Sequence, residues 1–549
     1  MTLTPVKRFW QLLSLYRPEL RQIYLFAVFN GIVNLTLPLG IQAIINFIQA
    51  GEPSASWFLL VGIVLVGIAT NGIIQILQLR ILEDVQQNLF ARSAFEFAYR
   101  LPKIQFLSLD KVHGPELANR FFDTLTIQKG LPKIVIDFSL AAFQIVFGLL
   151  VLSIYSSYFI ILAIVLVGLL YLLIQITGPK GLETSLKESK YKYRIAHWLE
   201  EIARNNRTFK LNLKPDYHMK RADDLVEGYL VNREKHFKVI INQYRLFIAF
   251  KVLVAAGLLF LGGYLVFAQQ MNLGQFVAAE IIIILIIASA EKIMTIIESI
   301  YDVLTGLDKI GHVTDLPLDH CSGKSSLDDT HPVEIRALDL SFKFPDEQRN
   351  VIDDLDMHIK AGQKVVLDGR SGSGKTVLLH LLAGIHRPTD GELYFNDIPF
   401  TTYNRDHLYS QIGVAYPSTQ IFEGSLRDNI TLGREVSDRR LGEVLEILAL
   451  NEYLVHQPDG LESFVDSGGR RLPRAVIQKV MIARIILTEP KLLLMEDPLI
   501  FVGDADKRRI IDYLMSSDRP WTALVVSDDP YWEERADTTI DLTEETTHA

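Results

Sequence analysis

Cysteine is almost absent from this sequence of 549 residues, since Cys321 is the only one. A lone cysteine excludes an intramolecular disulfide and any metal cluster held by several thiolates. We expect Cys321 to be a bystander in a linker, which fits a chain segment facing a reducing compartment. Because 49% of the residues are hydrophobic, the composition also excludes an intrinsically disordered chain and a small disulfide-stabilised scaffold.

The sequence also has no excess of basic residues. It contains 55 Lys and Arg and 64 Asp and Glu, which gives a formal net charge of −9. Residues 1–320 carry 30 basic and 25 acidic residues, a net of +5. Residues 321–549 carry 25 and 39, a net of −14. Two parts of opposite sign predict two domains in different surroundings, and the acidic part argues against nucleic acid as a partner.

Long apolar runs fill much of the first 320 residues. Most of them reach the roughly 20 residues that a helix needs to cross a hydrocarbon core of about 30 Å. The six runs are Ile23–Ile48, Trp57–Leu79, Ile134–Ile154, Phe159–Ile176, Leu246–Phe267 and Val277–Ile297. The sequence therefore predicts an all-α six-helix transmembrane domain over residues 23–313 that contacts membrane lipid. Residues 1–22 are predicted to form a cytoplasmic interfacial helix, with Lys7–Tyr16 lying on the membrane surface.

Lys and Arg are missing from the short segments between these runs, which are residues 49–56, 155–158 and 268–276. By contrast, residues 1–22 hold 4, the loop 80–133 holds 8 and the loop 178–245 holds 15. Basic residues concentrate in the cytoplasmic segments of membrane proteins. We therefore expect a multi-pass protein of the inner or plasma membrane. Its N-terminus, both long loops and the C-terminal domain would face the cytoplasm.

Residues 314–332 are rich in Asp, Ser, Gly and Pro and are predicted to be a linker. Residues 333–549 alternate short apolar runs with helical patterns, as in an α/β domain. Within them, a glycine-rich segment follows a strand-like run, Lys364–Asp368, and opens a helix-like run, Val377–Ile385. The segment is Gly369, Arg370, Ser371, Gly372, Ser373, Gly374, Lys375 and Thr376. This pattern in this context predicts a P-loop NTPase domain.

Each part of the predicted P-loop has a chemical role. The glycines let backbone N–H groups surround phosphate oxygens, and the start of the following helix adds its dipole. Lys375 contributes a positive charge, and the hydroxyl of Thr376 completes the coordination of Mg²⁺. The predicted cofactors are therefore ATP and Mg²⁺.

Six apolar runs, two long loops and a C-terminal P-loop domain resemble a half-transporter of the ATP-binding cassette (ABC) exporter superfamily, over essentially the whole chain. Segments of the two loops resemble the regions that couple the domains of such exporters: Leu101–Pro102 and Gly114–Leu117 with Arg120, then Trp198–Ile202 and Thr208–Lys210. Within the superfamily, the membrane half looks most like bacterial protein- and peptide-secretion (type I secretion-like) exporters. The resemblance implies that two such chains pair, as a homodimer or a heterodimer, and that a periplasmic adaptor is a further candidate partner.

The resemblance also assigns roles beyond the P-loop. Phe344 matches the aromatic residue that stacks on adenine, although a strand core residue is an equal alternative. In Glu496-Asp497, the acidic pair is reversed relative to the family order of Asp then Glu. Glu496 would then serve the Mg²⁺ shell, and Asp497 would replace the catalytic carboxylate. Asp497 is one methylene shorter, and a misplacement of about 1 Å can cost on the order of 10²-fold in rate.

Three further family positions are altered. Pro417 stands where a Gln senses Mg²⁺ and the γ-phosphate, with Gln420 three positions away, and proline has no amide to offer. The signature Leu-Ser-Gly-Gly-Gln is replaced by Leu472–Val476, which retains the Leu alone. Asp528 stands where a His contacts the γ-phosphate and would repel it.

No pairing of this chain leaves one nucleotide site fully intact, because each site of the family combines the P-loop of one chain with the signature of the other. Two functions therefore stay open. The first is an ATP-driven exporter half that hydrolyses ATP weakly. The alternative is a non-hydrolytic ATP-binding scaffold or regulatory half. The transported substrate is not encoded in any recognisable motif.

Overall fold

The computed structural model describes residues 3–49, 55–109, 114–212, 216–319, 323–328, 330–417 and 421–542. Cys321 and Gln420 lie outside these residues. The chain divides into two compact units. The first contains residues 1–104 and 111–317, and the second contains residues 105–110 and 318–549.

The first unit is entirely helical in the part that the structure describes. Its helices are α1 (Pro5–Leu15), α2 (Arg17–Asn34), α3 (Thr36–Gln49), α4 (Ala55–Arg100), α6 (Gly114–Asn119), α7 (Asp123–Pro132), α8 (Phe138–Tyr155), α9 (Tyr158–Arg204), α10 (Asn206–Asn212), α11 (Tyr217–Phe267) and α12 (Leu273–Thr314). The short helix α5 (Phe106–Leu109), between α4 and α6 in sequence, belongs to the second unit. Among the described residues, six helical stretches are long and apolar enough to cross a membrane, and each contains one of the predicted runs. The prediction of six membrane helices is therefore confirmed.

The spans continue well beyond their apolar runs. Helix α9 extends from Tyr158 to Arg204, and α11 begins at Tyr217, so most of the predicted loop 178–245 is helical. At 1.5 Å per residue, about 28 residues past Ile176 add roughly 40 Å of helix. The predicted surface helix Lys7–Tyr16 is α1, which begins at Pro5 behind a Thr4 cap.

Polar side chains inside the spans satisfy one another. Asn34 donates to Asn30 at 2.8 Å, Asn30 donates to Asn71 at 2.5 Å, and Asn71 donates to Asn34 at 2.6 Å. This closed ring joins α2 to α4, and Asn30 is fully buried within it. Because an unpaired amide is costly in hydrocarbon, the ring fixes how these two helices pack.

The second unit is an α/β domain. Its strands are β1 (Ile335–Phe342), β2 (Ile352–Ile359), β3 (Lys364–Asp368), β4 (Asp390–Phe395), β5 (Ile398–Pro399), β6 (Ile412–Ala415), β7 (Gly424–Ser425), β8 (Phe464–Val465), β9 (Leu492–Glu496), β10 (Thr522–Val526) and β11 (Thr538–Asp541). Its helices are α13 (Lys375–Leu382), α14 (Arg405–Gln411), α15 (Leu426–Thr431), α16 (Asp438–Ile447), α17 (Asn451–Leu454), α18 (Arg474–Thr488), α19 (Asp504–Leu514) and α20 (Pro530–Arg535).

A parallel sheet in the order β11-β3-β10-β9-β6 forms the centre of this unit. Strands β3, β9 and β10 are almost completely buried. Such strands read as continuous apolar runs because helices cover both faces of a parallel sheet. A second, antiparallel sheet has the order β2-β1-β4-β5.

The short helix α5 groups with the second unit, although the sequence-based division placed it in the transmembrane domain. Its Leu107 packs against the core that contains β3 and α13. Its Phe106 ring meets the rings of His380 and His386 edge-on, with both centroids 5.7 Å away. By packing, this segment of the predicted loop 80–133 is therefore part of the core of the second unit.

His386 lies in the middle of this aromatic cluster and is 2% exposed. Its ring stacks on Phe342 at 5.1 Å and contacts Phe344 at 5.9 Å. Burial, and then the neighbouring His380, lowers the pKa of His386 to about 4. The folded protein therefore holds this imidazole neutral in a place where a proton is not tolerated.

We predict that the second unit loses stability on acidification because of His386. The unfolded chain protonates this residue near pH 6.5, whereas the folded chain does so near 4. The contribution is thus fully present above pH 6.5 and falls as the pH drops towards 4. Between pH 7 and 5 the loss is about 2 kcal/mol of unfolding free energy.

Thermal unfolding of the detergent-solubilised protein at the two pH values measures this effect. The variant His386→Gln should flatten the pH dependence, whereas His456→Gln, which changes an exposed histidine, should keep it. An unchanged pH dependence in His386→Gln would show that another group is responsible.

Candidate functional site

The P-loop lies where β3 ends and α13 begins. Gly372 and Gly374 adopt φ values of 85° and 92°, which are open to glycine and strained for other residues. A Cβ on Gly374 would also come within 3.0 Å of the Val351 carbonyl oxygen. The helix begins at Lys375, as the motif requires, and ends at Leu382, three residues before the predicted end.

Lys375 lies over the loop that precedes it. Its ammonium donates to the carbonyl of Gly369 and, at 3.3 Å, to that of Arg370. The hydroxyl oxygen of Ser373 is buried and has no hydrogen-bond partner within the described residues. A positive charge and an unsatisfied hydroxyl in one loop fit an anionic oxygen ligand such as phosphate.

A cavity of about 530 Å³ opens beside this loop. It is lined by Arg370, Ser371, Gly372 and Ser373 of the loop, and by Glu347, Arg349, Asn350, Val351 and Asp353. Sequence reasoning did not identify the second group, because the segment before β2 carries no recognisable motif. Phe344, the predicted adenine contact, lies just past β1, half-buried against Phe342 at 5.1 Å and outside this lining.

The predicted metal residues meet directly. Thr376 donates its hydroxyl to Oε1 of Glu496 at 2.6 Å, although the two residues are 120 positions apart. Glu496 ends β9, and the register of β9 with β10 and of β10 with β3 brings these strand ends to one edge. A hydroxyl and a carboxylate are the oxygen ligands that Mg²⁺ prefers, so these residues fit the predicted metal.

Asp497 is held in a constrained turn. Its φ is +40°, a left-handed value that costs a non-glycine residue about 1 kcal/mol or more. Its N–H donates to the Val526 carbonyl at 2.9 Å, and its carboxylate accepts from the Ser527 hydroxyl at 3.0 Å. Gln478 of α18 donates to its carbonyl at 3.4 Å. Ser527 and Gln478 thus position Asp497, a role that the sequence pattern did not reveal.

The altered family positions lie at two strand ends and at one helix start. Pro417 is exposed just beyond β6, and Asp528 is exposed just beyond β10. Pro473 caps α18, so the replaced signature occupies a helix start. The guanidinium of Arg474, an exposed residue, stacks over Phe501 with its centre 4.8 Å from the ring centroid.

Tyr416, beside Pro417, was not predicted as a site residue. Its hydroxyl is buried and has no hydrogen-bond partner within the described part of the chain. Burial, and then the charge of Glu496, raises the pKa of this hydroxyl. The residue therefore stays a neutral phenol next to the acidic edge of the sheet.

Comparisons with known proteins agree with this architecture. The family described as "ABC transporter transmembrane region" matches residues 22–289, and the family described as "ABC transporter" matches residues 352–500. Together they cover most of the chain. The structure resembles that of a bacterial Atm1-family ABC exporter with ATP bound, with a TM-score of 0.82, 16% identity, and coverage of 96% of this chain and 94% of that one.

Curated relatives are also membrane transporters. The chain is 23% identical to an ATP-dependent lipid A-core flippase of Burkholderia orbicola, over 97% of this chain and 90% of that protein. It is 29% identical to the glutathione/L-cysteine transport protein CydC of Escherichia coli, over 36% of this chain and 34% of that protein. It is 29% identical to the mycobactin import protein IrtB of Mycolicibacterium thermoresistibile, over 40% and 38%.

One assignment agrees with the six apolar helices, the C-terminal P-loop cassette and both family matches. The chain is a half-transporter of the ABC superfamily, of the exporter type, with its transmembrane domain ahead of its nucleotide-binding domain.

Proposed function

We propose that this membrane transporter subunit binds Mg-ATP at its P-loop, pairs with a second half-transporter and hydrolyses ATP slowly while it moves a substrate out of the cytoplasm. The observation that carries the proposal is the contact of Thr376 with Glu496 below an intact P-loop. It supports metal and phosphate binding by the residues that the sequence singled out, Gly369–Thr376 and Glu496.

Slow turnover follows from the groups that face the reacting phosphate. Asp497 is the candidate catalytic carboxylate, and it is shorter than the family's Glu. Pro417 removes an amide and Asp528 adds a negative charge, so two groups that would contact the γ-phosphate in the family are missing. Each nucleotide site of the family lies between the P-loop of one chain and the signature of the other. The replaced signature would therefore weaken the contacts that this chain makes with the nucleotide on its partner.

The alternative function is a non-hydrolytic scaffold or regulatory half. The comparisons favour a transporter, since both domains match over most of their length. The names of the relatives refer to lipid A-core, glutathione or L-cysteine, and mycobactin, so they agree on no single substrate. Because Lys and Arg are concentrated in one set of loops, we also propose that the nucleotide-binding domain lies in the cytoplasm. A periplasmic adaptor is a further candidate partner, which co-purification would identify.

Mg-ATP should raise the melting temperature of the purified protein, because a ligand bound to the folded state alone stabilises it. At 100 times the Kd the gain is about 2.7 kcal/mol. The substitution Lys375→Ala should abolish the gain, and Lys360→Ala, which removes an exposed lysine at the end of β2, should leave it intact. A parent protein that is not stabilised by Mg-ATP would contradict nucleotide binding.

Removing the support of Asp497 should slow ATP hydrolysis without changing ATP binding. Loss of the Ser527 hydrogen bond should raise the activation free energy of hydrolysis by about 1 kcal/mol, because Asp497 is then less well positioned. The rate should fall roughly fivefold to tenfold. The measurement is single-turnover hydrolysis in Ser527→Ala, with Ser527→Thr as the variant that retains a hydroxyl and Ser410→Ala as the exposed control. Equal rates in Ser527→Ala and the parent would contradict a positioning role.

A further inference from the structure

A second polar cavity lies within the first unit, far from the P-loop in sequence. It has a volume of about 810 Å³ and is formed by residues of α6, α9, α11 and α12 together with Arg120. Five of its lining residues have basic side chains: Arg120, Lys190, Arg194, Arg221 and Lys309. Its size falls within the range of small-molecule sites, which is about 300–1,000 Å³.

The two lining carboxylates leave an excess of positive charge. Glu116 accepts from Arg120 at 2.6 Å, and Glu201 pairs with Arg204, which is not part of the lining. Two of the remaining cations stack on aromatic rings instead of carboxylates. Arg221 lies 4.5 Å from the Trp198 centroid, and Arg194 lies 5.3 Å from that of Tyr191.

Part of this charge is shielded from water. The side chains of Lys309 and Arg120 are 10% and 13% exposed. Lys309 reaches Asp308 at 3.6 Å and points towards Tyr193, whose ring centroid is 5.9 Å away. Glu116 and Asp308 offset part of this charge. The lining cations that remain in excess repel one another, so a multivalent anion between them would recover that cost.

The distance of the cavity from the apolar runs indicates whether its anion is a soluble molecule or a lipid head group. Lys190 lies 14 residues beyond Ile176, the end of its apolar run, which is about 20 Å along α9. Arg221 precedes the apolar run of α11 by 25 residues, or about 37 Å. These distances place the cavity in the aqueous phase and beyond the reach of a lipid head group held in the bilayer.

We propose that this cavity binds a soluble anion carrying at least two negative charges, either carboxylates or phosphates. Lys190 and Arg194 are exposed at its mouth, one helical turn apart on α9. They would make the first contacts, and Arg120 and Lys309 would hold the inner charge.

The test uses the full-length protein in detergent, with citrate and inorganic pyrophosphate as probes at constant ionic strength. The protein carries Lys375→Ala throughout, so that the P-loop does not contribute. Isothermal titration should show saturable binding of at least one probe. The double variant Lys190→Gln/Arg194→Gln should bind it at least about tenfold more weakly, which is a loss of about 1.4 kcal/mol.

The matched control is Lys180→Gln/Lys187→Gln, which removes the same charge from the same helix outside the cavity and should bind like the parent. Melting temperatures without a probe check that all variants are folded. A short-chain phosphatidic acid serves as the lipid arm. The proposal is overturned if neither soluble anion binds, if both double variants bind equally, or if the lipid alone binds in a way that depends on Lys190 and Arg194.

Discussion

The parallel register of β3, β10 and β9 is the constraint on which the nucleotide site depends. Three chain segments that are far apart in sequence end at the same edge of the sheet. The P-loop follows β3, the acidic pair ends β9, and Ser527 follows β10. Without this register, the Thr376 hydroxyl would not reach Glu496, and Asp497 would have no partner on the next strand. The buried apolar strands thus bring the polar groups that follow them together at their carboxyl ends.

In the function proposed above, the loss of family residues affects hydrolysis and spares the binding loop. The P-loop retains the glycines, lysine and threonine of its motif, and we propose that they bind phosphate mainly through the backbone and one charge. In the same proposal, Pro417, Asp528 and the replaced signature affect groups that act in hydrolysis or close the second half of the site. We therefore propose that the chain keeps nucleotide binding and loses much of its turnover.

The sequence predicted the features that are encoded locally. Six apolar runs specify six membrane helices, since length and hydropathy are sufficient for a span. The P-loop and the acidic pair were predicted because their residue types follow strands at fixed spacing. The Asn30, Asn34 and Asn71 ring was not predicted, because it depends on how α2 and α4 face each other. The same holds for α5, whose packing against the second unit depends on the three-dimensional placement of Phe106.

The central claim is that the chain binds Mg-ATP and turns it over far more slowly than intact exporters do. The most direct measurement is the steady-state ATPase rate of the purified protein, alone and with any partner that co-purifies, beside Lys375→Ala and the lipid A-core flippase of Burkholderia orbicola. We predict a rate at least about tenfold below that of the flippase, and a residual activity that Lys375→Ala removes. A rate equal to that of the flippase would contradict slow turnover.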